Sequence, residues 1–133
     1  GTPEDIINAN RAILENKTSY FYGEKSDESL ITGTVLIGKG TKILGNSKIK
    51  GPAILGENCI IENVSIGPNT SVGNNSKLHQ CTIENSIIME DCKIDSPIKI
   101  DKSIISTNSQ ITNKNNENKN KIFLLGEGTR III

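Results

Sequence analysis

From Ile31 onward an aliphatic residue returns every six positions for eighty residues: Ile31, Ile37, Ile43, Ile49, Leu55, Ile61, Ile66, Val72, Leu78, Ile83, Ile88, Ile94, Ile100, Ile105 and Ile111, four of the steps being shortened to five. Four residues after each of these the side chain is usually small, as at Thr41, Ser47, Ala53, Cys59, Ser65, Thr70, Ser76, Thr82, Cys92 and Ser109. Glycine often follows the aliphatic residue directly, as in Ile37-Gly38, Leu55-Gly56, Ile66-Gly67 and Val72-Gly73. No helix has a period of six, and a plain alternating strand does not require a small residue at a fixed phase. An antiparallel sheet would need a turn every six residues with no longer strands between them. The pattern is an internal hexapeptide repeat, which dictates architecture before any local propensity does.

Each hexapeptide supplies one short strand, its aliphatic residue inward, followed by a tight corner. The small residue is expected to point inward too, where a larger one would crowd the axis. Three hexapeptides close a triangular coil, and successive coils stack their strands in parallel at about 4.8 Å. The inward aliphatics form ladders, each member worth about 1.5–3 kcal/mol when fully buried. Stability is then a sum over neighbouring coils.

Composition supports this reading and excludes others. Aromatic residues make up 3% of the chain and there is no Trp, as a narrow prism filled by Ile ladders requires. Net charge is zero, which argues against nucleic acid or an anionic membrane as partner. No apolar run approaches the ~18 residues that span a bilayer, and no signal peptide is recognisable. The three cysteines have no metal-ligand spacing. Cys59 and Cys92 fall on the small inward phase, whereas Cys81 lies one position before it and is expected at a corner. A reduced cytoplasmic setting fits, with neither disulfide nor zinc.

A different segment precedes the coils. Thr2-Pro3-Glu4-Asp5 starts a helix, with Thr2 as N-cap, Pro3 in the first turn, acids behind it and Asp5 completing a capping box. Ile6, Ala9 and Ile13, with Ile7 and Leu14, recur at helical spacing, so residues 3–16 form one amphipathic helix. Tyr20-Phe21-Tyr22-Gly23 follows and holds three of the four aromatics. Residues 1–24 thus form a linker helix and aromatic segment, expected to lie near the N-terminal end of the prism and shield its first coil. Residues 25–133 form the repeat domain. A polar loop at 112–121 bulges from a corner, after which Leu125-Gly126 and Ile131 resume the phase and Ile131-Ile132-Ile133 seal the last rung.

Gly1-Thr2-Pro3-Glu4-Asp5 with Ala9-Asn10-Arg11 resembles the helix that follows the catalytic domain in sugar-1-phosphate nucleotidylyltransferases. Gly51-Pro52-Ala53-Ile54-Leu55-Gly56, Ile66-Gly67-Pro68-Asn69-Thr70-Ser71-Val72-Gly73, Glu84-Asn85-Ser86-Ile87-Ile88 and Leu125-Gly126-Glu127-Gly128-Thr129-Arg130 resemble the tail of long-form glucose-1-phosphate thymidylyltransferases. The resemblance covers essentially the whole chain. It implies an all-β fold, a left-handed parallel β-helix with a short N-terminal helix. It also implies a parent enzyme joining a nucleoside triphosphate to a sugar 1-phosphate with Mg²⁺ and releasing pyrophosphate. The glycine-rich nucleotide loop and the metal-holding acids of such enzymes belong to an N-terminal domain with no counterpart here. The chain therefore reads as a C-terminal structural and oligomerisation domain, whose partners are a catalytic domain upstream and further copies of itself. No catalytic, cofactor-binding or metal-binding residue carries over.

The competing class is a hexapeptide acyltransferase using acetyl-coenzyme A, in which a histidine serves as general base. His79 is the single histidine and hence its one candidate. It directly follows inward Leu78, so it points outward, and its sequence neighbours Gln80 and Cys81 include no acid to orient the ring. Outward Ile54, Ile60, Val64 and Ile87 are expected to form an association face.

Overall fold

The computed structural model describes residues 1–112 together with the backbone of the strands Leu124–Leu125 and Arg130–Ile132. After one helix, α1 (Pro3–Glu15), the chain winds as a parallel β-helix with three faces. The first coil contributes Tyr20–Phe21 to the first face, Glu24–Lys25 to the second and Leu30–Thr32 to the third. Four further complete coils repeat this order, and every strand pairing is parallel to its equivalent one coil away. Backbone N–H groups also bond between coils beyond the strands, as from Gly38 to the Leu55 carbonyl at 3.0 Å and from Gly56 to that of Val72 at 2.8 Å. Past the third-face strand Lys99–Asp101, strands continue on the first and second faces. There Leu125 pairs in register with Ile105 and Ile131 with Ile111, so the repeat phase resumes as its spacing predicts. The polar loop expected at 112–121 and the terminal Ile133 lie outside the described residues, apart from Thr112.

The register turns the periodic aliphatics into three interior columns: Ile37, Leu55, Val72, Ile88 and Ile105; Ile43, Ile61, Leu78, Ile94 and Ile111; and Ile31, Ile49, Ile66, Ile83 and Ile100. All except Ile31, in the terminal coil, are buried. The small phase needs a correction. Buried small positions lie two residues before each aliphatic, not always four after the previous one. The two counts agree across six-residue steps and part by one wherever a step shortens to five. Hence Val64 and Cys81 are buried, while Ser65 and Thr82 take their places in the outward column of the third face. Val64 leaves the proposed association face, and Cys81 joins the core.

This phase is polar as well as small for a reason. The Ser29 hydroxyl accepts from the amide of Ser47, Thr41 from Cys59, Ser47 from Val64, Ser76 from Cys92 and Ser86 from Ser103, at 3.0–3.2 Å. Each donor is the equivalent residue one coil further on. At the corner its N–H has left the strand ladder, and a buried orphan amide costs ~1–3 kcal/mol. The hydroxyl satisfies it without adding volume. The corners themselves use left-handed backbone at Asn58, Asn63, Asn69, Asn75, Asn85 and Asn108, the non-glycine type that best tolerates it.

Helix α1 starts as the sequence predicts. The Thr2 hydroxyl accepts from the Asp5 amide and the Asp5 carboxylate from the Thr2 amide, both at 3.1 Å. Its position differs from the expectation. It lies along the first face rather than over the end of the prism: it packs against the strand Thr70–Val72, where Asn10 Oδ1 accepts from the Ser71 hydroxyl at 2.9 Å. The outward column of the first face explains this. It carries Leu36, Ile54, Ile87 and Ile104, whereas the second and third faces present Lys42, Lys77, Lys93, Lys48 and Lys99. An amphipathic helix buries its stripe on the one apolar face, and Ile7, Leu14 and Leu36 are all buried. The aromatic segment is not a lid over the first coil but its first strand, paired with Val35–Ile37, and Tyr20 and Tyr22 stack with ring centroids 4.9 Å apart. Phe21, Lys25 and Ile31 top the three interior columns, and the Lys25 ammonium donates to the Ser26 and Ser29 carbonyls at 2.9 Å.

Candidate functional site

His79 sits in the outward column of the second face, in register between Glu62 on one coil and Asp95 on the next. Its Nδ1 is 2.9 Å from Asp95 Oδ1, and its Nε2 lies 3.9 Å from Glu62 Oε1. Gln80 Nε2 also donates to Asp95 Oδ1, at 3.3 Å. The expectation that no acid orients this ring is therefore wrong. The partners are sixteen and seventeen residues away along the chain, and stacking of the coils brings them into line. Lys77 and Lys93 occupy the adjacent outward column, side by side in register. A ring held at Nδ1 by a carboxylate is oriented as a general base requires. What is missing is space. The hollow beside His79 measures about 70 Å³, well under the ~300–1,000 Å³ of small-molecule sites.

The other nucleophiles are silent. Burial pushes the Cys81 thiol up to about 12, and also raises those of Cys59 and Cys92. All three thiols are free, buried and protonated at neutral pH, hence unreactive. Among the described residues no group of three His, Cys, Asp or Glu side chains is placed to hold a cation. The Mg²⁺ implied by the resemblance is expected in the catalytic domain of the parent. Nor is any described helix long and apolar enough to cross a membrane.

What the coils do build is a stack of repeating rungs. The sequence profile of the GMPPB C-terminal domain matches residues 60–131, more than half of the chain. The chain belongs to this family. The glucose-1-phosphate thymidylyltransferase of Streptomyces antibioticus is 34% identical over 56 residues, which are 42% of this chain and 15% of that protein. The resemblance to the tail of sugar-1-phosphate nucleotidylyltransferases therefore stands, on a domain that spans a small part of its relative's length. Among solved structures, a Bacillus cereus protein provisionally described as an acetyltransferase aligns over 83% of this chain and 69% of its own, at 17% identity and a TM-score of 0.38.

The matched segment contains the later rungs of the interior columns, the Ser76 and Ser86 hydroxyls of the corners and the His79 stack, while α1 and the first two coils lie outside it. Sequence reading found His79 but missed Glu62 and Asp95. The signal was present: three outward polar residues at intervals of one coil, once the five-residue steps are counted.

Proposed function

We propose that this chain is the structural C-terminal domain of a sugar-1-phosphate nucleotidylyltransferase. The parent would join a nucleoside triphosphate to a sugar 1-phosphate in the cytoplasm, with Mg²⁺ held in a catalytic domain that this domain braces and helps to assemble. The observation that carries the reading is the family match itself, which falls on coils whose described inward side chains are all committed to stacking. A self-associating role is supported by apolar residues left outside the helix contact. Ile60 and Met89 are about two-fifths exposed, and an open groove of about 390 Å³ on the first face is lined in part by Ile54, Ile87 and Met89.

The test is direct. With thymidine or uridine triphosphate, glucose 1-phosphate and Mg²⁺, the isolated chain is expected to release no pyrophosphate above a heat-killed control. Measurable release overturns the structural reading.

The acyltransferase alternative rests on the oriented His79–Asp95 pair. Turnover of acetyl-coenzyme A with glucosamine 1-phosphate that disappears in His79→Ala would establish it. The small hollow beside the ring argues against that outcome.

A further inference from the structure

Where α1 crosses the corner between the third and first faces, it leaves a cleft of about 620 Å³. One wall is helical: Glu4, Asn8 and Arg11 are spaced so that they share a stripe of α1. The other wall is the coil corner at Asn85 and Lys102. That corner is fixed in place. The Asn85 amide accepts from Asn69 Nδ2 at 3.2 Å and donates to Asp101 Oδ1 at 3.1 Å.

The charges in the cleft are not balanced internally. Among the described residues neither Arg11 nor Lys102 has a carboxylate within ion-pair distance, although Glu4 lines the same cleft and Asp101 directly precedes Lys102. Asp101 is engaged by Asn85. On the adjoining third face, by contrast, Lys99 pairs with Glu84 at 3.2 Å. Two cations from different elements thus line one cavity of ligand size. The helix N-terminus is not the attracting feature, since its capping box already satisfies it.

We propose that this cleft binds a small phosphomonoester carrying hydroxyl groups. A guanidinium fork and an ammonium on opposite walls suit a dianionic phosphoryl group. Inorganic phosphate alone would leave most of 620 Å³ empty. Thr2, Asn8 and Glu4 provide donors and acceptors for a hydroxylated carrier, and Glu4 rejects a ligand that is anionic throughout. Bound ligand would tie α1 to the coils, so occupancy would also stiffen the helix. The inference is independent of the parent's activity.

The experiment titrates the full chain with glycerol 3-phosphate, inorganic phosphate and glycerol at low ionic strength, following backbone amide resonances. Saturable shifts clustered at Asn8, Arg11, Asn85 and Lys102 are expected, tighter for glycerol 3-phosphate than for phosphate and absent for glycerol. Arg11→Gln and Lys102→Gln should each weaken glycerol 3-phosphate by about tenfold, equivalent to about 1.4 kcal/mol. Lys99→Gln should leave binding unchanged, and Glu4→Gln should strengthen inorganic phosphate. Amide spectra of each variant report whether it is folded. Any of three results overturns the site: no saturable shift, equal affinity in Arg11→Gln and wild type, or shifts centred on Lys77 and Lys93.

Discussion

Within a single rung the volume available two residues before each aliphatic decides what can stand there. Ala53 is fully buried at that phase, so Ala53→Phe should overpack the coil and cost about 1–3 kcal/mol. Ile54→Ser, outward on the neighbouring position, should lower the melting temperature far less, and equal losses would show the phase to be misassigned. Hydrogen bonding matters at the same phase. Ser47 donates to the Leu44 carbonyl at 2.8 Å and accepts from Val64, so Ser47→Ala should strand a buried amide at about 1–3 kcal/mol despite its near-isosteric size.

The Cys81 thiol adds a pH signature. Its ordinary value is 9.0, and burial raises it to about 12 in the folded chain. Above pH 9 the unfolded chain has therefore released a proton that the folded chain retains. Proton loss then favours unfolding, and stability falls as pH rises from 9 towards 12. Cys81→Ala should flatten that decline relative to wild type in thermal melts run across this range. An identical pH slope in the two proteins would mean that the thiol is solvated in the native state.

At the scale of elements, α1 and the coils have different claims to stability. Each coil after the first described one and before the last is held by neighbours on both sides, whereas α1 is anchored by Ile7, Leu14 and the Asn10–Ser71 bond. A helix of 13 residues is marginal alone in water, so it should open before the coils do. Leu14→Ala, removing a fully buried side chain, should abolish most amide-exchange protection in α1 while protection in the strand Ala53–Leu55 persists. Loss of protection in both together would indicate one cooperative unit.

For the molecule as a whole, the first face is the most apolar of the three. Its outward column carries Leu36, Ile54, Ile87 and Ile104, interrupted by Ser71 where Asn10 of α1 bonds, and α1 covers only part of it. Deleting residues 1–17 would leave the strand Tyr20–Phe21 in place but uncover Leu36. The truncated chain should keep its β-rich circular dichroism while its mass in solution rises through association along that face. If the mass stays unchanged, the helix is a linker without a covering role. Met89→Lys, in the groove that α1 leaves open, separates the two surfaces: it should lower any association shown by the intact chain without melting the coils.

The hexapeptide period by itself determined the parallel coils and the three interior columns, because each is a local rule repeated along the chain, and the capped start of α1 was legible in Thr2-Pro3-Glu4-Asp5. The family was also legible there, in motifs distributed from Thr2 to Arg130. Only the tertiary structure settled the small phase. A five-residue step displaces the inward position by one, and the register that assigns Val64 and Cys81 to the core exists only between coils. The setting of His79 was equally hidden, since Glu62 and Asp95 become its neighbours through a rise of one rung rather than through the chain. The same holds for α1. Its amphipathicity announced that it would cover something, but choosing the first face requires comparing the outward columns of all three, and those columns are assembled from residues spaced a whole coil apart.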